Sequence, residues 1–374
     1  MAGIYIHIPF CKNKCSYCDF HFSTTFSPYR SEMIDAICRE IELRMSSKEF
    51  EGEIKTLYFG GGTPSLLLPN EWAQIIKTLK IYVDLESLLE FTIEANPDDI
   101  QIDNLELWKL MGVNRLSIGV QSFNDDDLKW MNRAHKAQES LDSILLAQKY
   151  GFENLTIDLM YGLPNQDLDV WEKQLDTALG LGVPHISSYC LTVESRTALQ
   201  KFVRQGLLFI PHEDLITSQY DLLVNKLESN GFEHYEISNF GKPNFFAKHN
   251  SNYWLGHHYL GIGPSAHGFN GDNRYWNIAN NAAYIKDLRT GKLPETIEKL
   301  TIENRFNELI LIGLRTSWGV DSEQLESLIP FDLKYQNLLK KLSESGVVEW
   351  RNSHFRLSKI AKFQADYYSS MLFL

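Results

Sequence analysis

Three of the five cysteines, Cys11, Cys15 and Cys18, stand in one short stretch, "YIHIPFCKNKCSYCDFHF" (5–22). Their spacing, C-x3-C-x2-C, offers three thiolates. A closed structural zinc site takes four ligands, and a [4Fe–4S] cluster normally takes four as well. A cluster held by three leaves one iron open to a non-protein ligand. The competing chemistry is a Cys3His zinc site completed by His21 or His7. An odd, bunched set of thiols argues against a disulfide framework and, in a reducing compartment, for metal. Cys38, in a helix-period segment, and Cys190, at a strand end, both read as small buried hydrophobes.

Other chemistry-capable residues recur at one kind of position. Short β-rich runs at 3–8, 54–60, 90–95, 114–120, 154–162 and 185–191 are each followed by helical stretches such as 31–45, 70–83 and 170–182. The runs end in the cysteine loop, "GGGTP" (60–64), "EANP" (94–97), "GVQSF" (119–123) and "DLMYGLP" (158–164). Alternating strand and helix implies a parallel sheet, with strands apolar on both faces under covering helices. Six units are too few for a closed eight-stranded barrel, so an incomplete (β/α)6 TIM-like barrel is expected. Its active site belongs at the C-terminal strand ends. Gly, Pro, Asn and Asp are also ordinary turn residues, but five such ends, one bearing three thiols, favour a site.

The cysteine motif, with Tyr17 before its last thiol, resembles the radical S-adenosylmethionine (SAM) superfamily, in which SAM chelates the open iron of a [4Fe–4S] cluster. The resemblance implies Cys11, Cys15 and Cys18 as the metal ligands and Tyr5, Gly61, Gly62, Thr63, Glu94, Gln121, Arg133 and Asp158 as SAM-site residues. Arg133 suits a carboxylate, since guanidinium presents a planar donor fork. The motifs are most similar to the branch of oxygen-independent coproporphyrinogen III oxidase, a porphyrin-metabolism enzyme. Two departures point away from the oxidase and toward the heme chaperones of that branch. Phe20 stands where the oxidase carries a further cysteine, and the first strand begins by Gly3, with no extension ahead of it. "HNSNYW" (249–254) also fits the H-N-x-x-Y-W pattern associated with heme in those chaperones. That implies heme contacts from His249, Asn250, Tyr253 and Trp254. His257, His258 and His267 are alternative ligands on chemistry alone. The segment is expected to loop over the cluster face.

The expected function is therefore a heme chaperone holding a [4Fe–4S] cluster, SAM and heme, and passing heme to acceptor hemoproteins. The alternative is the oxidase. The resemblance allows a homodimer and a peripheral membrane contact. A net charge of −12 disfavours a nucleic-acid partner. No targeting segment or apolar run of membrane-spanning length is evident, so a cytoplasmic location is expected. Three regions are expected: a radical SAM core at 1–230, a connecting region with the HNSNYW motif at 231–300, and a smaller α+β unit of winged-helix type at 301–374.

Overall fold

The structure, a computed structural model, describes residues 2–47 and 52–374. Strands β1 (Ala2–Ile8), β2 (Ile54–Gly61), β3 (Glu90–Ala95), β4 (Arg115–Gln121), β5 (Leu155–Tyr161) and β6 (His185–Cys190) pair in parallel in chain order. This is the expected incomplete (β/α)6 barrel. Its strands are not apolar on both faces, however. Side chains alternate across a strand, and one set, Ile4, Ile6, Phe59, Ile93, Ile118 and Ile157, packs with Trp72, Trp108 and Trp171 of the covering helices. The alternate set is polar and equally buried: Thr56, Glu90, Thr92, Arg115, Thr156 and His185. The barrel lumen is therefore lined with hydrogen-bonding groups.

The sheet extends beyond its parallel part at both edges. The hairpin β7 (Glu233–Glu236) and β8 (Asn239–Gly241) adds antiparallel to β6. On the other side, β9 (His258–Ile262) adds parallel to β1, followed by antiparallel β10 (His267–Phe269), β11 (Asn273–Asn277) and β12 (Glu295–Lys299). The stretch that reads as having little periodicity, 245–271, thus contains a helix, Lys248–Trp254, and two strands. Elements of three to seven residues are too short for either periodicity to register.

One carboxylate joins this added edge to the first helix, Arg30–Ser46. Glu40 is fully buried. It accepts from Arg44 Nε and Asn277 Nδ2, each at 2.7 Å, from Gly263 N at 2.8 Å and from the Tyr284 hydroxyl at 2.6 Å. Arg44 continues to Glu295 at 2.7 Å and stacks over the Tyr275 ring at 3.9 Å.

The C-terminal unit has its own core around Phe306, Ile310, Leu325, Leu339 and Phe355. Helices Ile302–Leu314, Ser322–Leu328 and Leu333–Glu344 cover a three-stranded sheet, Val320–Asp321, His354–Leu357 and Val348–Arg351, a winged-helix-like arrangement. It is tied to the barrel where Lys362 Nζ donates to His234 O at 2.8 Å and Ile237 N donates to Arg315 O at 3.1 Å.

Removing one partner of a buried ionic network leaves the other charges uncompensated, typically costing about 3–5 kcal/mol. Glu40→Ala is expected to lower unfolding stability by about that amount, read as a shift in denaturant midpoint. A change near zero would show that the added edge does not depend on this carboxylate.

Candidate functional site

The parallel register decides where the thiols lie. Ile8 pairs with Gly61, so the loop leaving β1 emerges beside the Gly-rich end of β2. Gly62 N donates to Ile8 O at 2.9 Å, and a Cβ on Gly62 would stand 2.6 Å from Phe10 O. Gly61 has φ +107, and a Cβ there would collide with the His7 ring. These glycines let the loop backbone cross the end of β2.

The loop is pinned along its length. Cys11 N donates to Ser23 O at 3.1 Å, Ser16 N to Met131 O at 3.0 Å, and Leu199 N to Ser16 O at 2.8 Å. Asn132 Nδ2 reaches Lys14 O at 2.9 Å, while Lys12 Nζ pairs with Asp98 at 2.7 Å. Loops that carry function are commonly held in this way by a rigid scaffold.

Cys11, Cys15 and Cys18 border a cavity of about 530 Å³ over the C-terminal strand ends. Of the residues expected at a SAM site, Gly61, Gly62, Thr63, Glu94, Gln121, Arg133 and Asp158 line it. Tyr5 does not. Its hydroxyl meets His7 Nδ1 at 3.2 Å and its ring packs on Tyr58, centroids 5.9 Å apart, deeper in the lumen. Cys190 is only partly buried: it packs against the main core, as expected, and also borders the cavity, because the last residue of a strand lies at the edge of the layer the helices cover. Cys38 is a core residue as expected.

Polar contacts run from the thiols into the strand ends. Thr63 Oγ1 donates to Cys11 Sγ at 3.5 Å, and Asn96 Nδ2 to Thr63 Oγ1 at 3.4 Å. Arg133 Nη2 donates to Asn96 Oδ1 and to Gly119 O, both at 2.7 Å, while Nη1 faces Cys15 Sγ at 3.6 Å. No carboxylate neutralises this guanidinium within ion-pair distance among the described residues, and its buried Nε has no partner. A buried cation with a free donor fits an anionic ligand group. Gln121, at the end of β4, is held at φ +68, a conformation uncommon for a residue other than glycine and a mark of functional strain when the surroundings enforce it.

Burial dominates the titration of the site. It pushes the Cys11 thiol up to about 12 and the Cys18 thiol up to about 11. Metal assembly must therefore displace protons here. Burial, reinforced by nearby Glu94, raises Asp158 to about 7. Glu94 is also raised by burial, against hydrogen bonds from the Tyr58 hydroxyl and Gly61 N.

The imidazoles considered as fourth zinc ligands are engaged elsewhere. His7 Nε2 meets His21 O at 2.8 Å, and His21 Nε2 meets Asn281 Oδ1 at 2.7 Å. Among the described residues, no three His, Cys, Asp or Glu side chains stand close enough to share a single metal ion. A cubane distributes its thiolates over several irons, so its ligands need not converge on one point. The donor set of thiols, free cation and roomy cavity fits a cluster with an exchangeable ligand.

The HNSNYW segment is not over this cavity. It forms the helix Lys248–Trp254 at the other end of the lumen. Its backbone N–H groups at Lys248 and His249 donate to Glu90, at 2.6 and 3.0 Å, at the start of β3. His249 is 1 % exposed, and both ring nitrogens are bonded, Nδ1 to Thr56 Oγ1 at 2.9 Å and Nε2 to the Tyr253 hydroxyl at 2.7 Å. Burial holds this imidazole neutral, down at about 3. Asn250 faces a lumen cavity of about 50 Å³ whose wall includes Glu94 and Asp158. The hydrogen-bonding lumen explains the placement: a polar helix supplies the partners that the strand starts require. His257 and His258 are partly buried and His267 is exposed at the added edge of the sheet.

Asn96, Ser117, Met160 and Tyr189 also line the upper cavity and were not singled out in the sequence. A signal was available for Asn96, Met160 and Tyr189, each at or beside a strand end, but not for Ser117, which lies within β4.

Comparison with known proteins accords with this geometry. The profile described as "Radical SAM superfamily" matches residues 5–178. "Heme chaperone HemW" of Bacillus subtilis is 35 % identical, over 93 % of this chain and 93 % of its own. The protein of the same name from Lactococcus lactis is 38 % identical, over 93 % and 89 %. "Radical S-adenosyl methionine domain-containing protein 1, mitochondrial" of Danio rerio is 34 % identical, over 88 % and 76 %. Among solved structures, coproporphyrinogen III oxidase (HemN) from Escherichia coli superposes with a TM-score of 0.85, over 99 % of this chain and 89 % of its own, at 22 % identity, which speaks to fold alone. Among the described residues, no helix is long and apolar enough to cross a membrane. The chain belongs to the radical SAM superfamily and, within it, to the HemW family.

Proposed function

We propose that this protein is a heme chaperone that binds heme and passes it to acceptor hemoproteins, using a [4Fe–4S] cluster on Cys11, Cys15 and Cys18 and an exchangeable SAM. What carries the reading is likeness along almost the whole chain to proteins described as heme chaperones. Phe20 supports it. The residue is 70 % exposed at the cavity mouth, where the oxidase branch places a further thiol.

In this reading the three thiols bind iron, and Arg133 with Asn96 holds the SAM carboxylate. Glu94 and Asp158 accept from ligand hydroxyl or amino groups. The bound cluster supplies an open iron and an electron. His249, Asn250, Tyr253 and Trp254 serve heme only when their helix leaves the lumen, because its imidazole nitrogens are otherwise occupied. An aromatic pair beside a neutral imidazole is a suitable set for a porphyrin face and its iron.

The test of function pairs two assays on anaerobically reconstituted protein with SAM. Hemin is expected to titrate to a saturable Soret band, with no product from coproporphyrinogen III and an electron donor. Catalytic formation of protoporphyrinogen IX would overturn the chaperone reading in favour of the oxidase.

The cluster assignment has its own check. Cys11→Ala, Cys15→Ala and Cys18→Ala are each expected to lose bound iron and its visible absorption, while Cys38→Ala and Cys190→Ala retain both. Equal loss in Cys190→Ala would make the cavity-facing thiol a ligand.

Asp158 predicts a pH dependence. Its folded value of about 7 lies above the ordinary 3.8. The unfolded chain therefore gives up this proton first, and the stability associated with the group falls as pH rises from about 4 to about 7. At 1.36 kcal/mol per pH unit, the loss reaches up to about 4 kcal/mol. In metal-free protein, Asp158→Asn is expected to gain stability over wild type between pH 5 and pH 8, measured by denaturant midpoint. Parallel profiles would show that Asp158 is not held protonated.

A further inference from the structure

One carboxylate both floors the upper cavity and holds the ring that covers the lower helix. The Tyr58 hydroxyl donates to Glu94 Oε1 at 2.7 Å, and Glu94 Oε2 accepts from Gly61 N at 3.1 Å. The Tyr58 ring lies on the His249 imidazole, with centroids 5.1 Å apart and planes inclined by 27°. Two residues before Tyr58 on the same strand, Thr56 bonds His249 Nδ1 at 2.9 Å and accepts from Asn252 Nδ2 at 3.2 Å. The strand-end glycine, the carboxylate, the phenol and the imidazole therefore form one continuous contact line through the barrel. The 50 Å³ cavity beside it, which Tyr58 helps to line, leaves the phenol room to move.

We propose that Tyr58 couples the two ends of the lumen. A ligand that donates to Glu94 competes with the Tyr58 hydroxyl, loosens the ring from His249 and frees the HNSNYW helix to open. The ligand class is one carrying hydroxyl or ammonium donors, since only a donor displaces a phenol from a carboxylate. This rests on the reading of the upper cavity as the SAM site. A ligand shifts such an equilibrium only by its unequal interaction with the two states, and here the inequality is one exchanged hydrogen bond. The coupling belongs at the low end of the usual range, about five-fold. Glu90 has a different part. Its carboxylate caps the helix N-terminus and sets how firmly it is held, without touching the cavity ligand.

The experiment is amide hydrogen exchange over 248–254 in the full chain with its cluster reconstituted, with and without SAM, with calorimetry to establish SAM binding. In wild type, SAM is expected to raise exchange of this helix about five-fold. Tyr58→Phe, which keeps the ring and loses the hydroxyl, is expected to exchange faster without SAM and to respond no further when SAM binds. Glu90→Gln is expected to exchange faster yet keep its SAM response, which separates a loosened helix from a lost coupling. Calorimetric binding of SAM with no change in wild-type exchange would overturn the proposal, as would a wild-type response in Tyr58→Phe. Failure of SAM to bind at all would instead overturn the reading of the cavity, and the coupling with it.

Discussion

A barrel whose interior is polar must satisfy every group it buries, and the rest of this structure follows from that constraint. Unpaired buried polar groups are costly, and unpaired charges more so. The lumen of this chain contains Glu90, Glu94, Arg115, Asp158 and His185. Its lower part is closed by partners drawn from distant sequence. Arg115 bonds Thr156, Thr156 meets His185 Nδ1 at 2.6 Å, and His185 Nε2 meets the Tyr235 hydroxyl at 2.7 Å. Glu90 is closed by the N-terminus of the HNSNYW helix. The upper part is left less complete: Arg133 Nε lacks a partner and Asp158 is pushed toward neutrality by burial. That unfinished end leaves groups that a ligand can complete where the fold does not.

The same constraint distinguishes the two clusters of chemistry-capable residues. The thiol loop is rigidly placed but its thiols remain accessible, so it is ready to accept a metal group. The HNSNYW helix has its imidazole fully engaged, so any ligand for it must exchange one set of hydrogen bonds for another. The two regions sit at opposite ends of one sheet. In the proposed reading, heme binding at the second would require a change of conformation, while cluster binding at the first would not.

Much of this was legible in the sequence where local pattern decides structure. The six parallel strands, the cysteine loop at the end of the first, and the Gly, Glu and Gln residues at the strand ends follow from period and motif, while Arg133, beyond the helix Asp125–Trp130, and Asp158, within β5, follow from the family resemblance. The failures share a cause. Thr56, Glu90, Arg115 and Thr156 alternate with apolar neighbours, a signal of a polar lumen that a search for wholly buried strands passes over. The strands His267–Phe269 and Asn239–Gly241 are too short to show alternation, and their pairing is set by tertiary contact. Tyr5 lies deeper in the lumen than its motif position suggests, because a strand residue's depth depends on register as well as on order. The HNSNYW motif did not reveal its location, since nothing local records that its helix must cap Glu90.

The claim on which the account turns is that three cysteines hold a cluster with one iron open to SAM. Electron paramagnetic resonance of the reduced, reconstituted protein tests it directly. The account predicts a [4Fe–4S] signal whose g-values shift when SAM is added, because the ligand binds the unique iron. A spectrum unchanged by saturating SAM, or a protein that takes up zinc in place of iron, would contradict it.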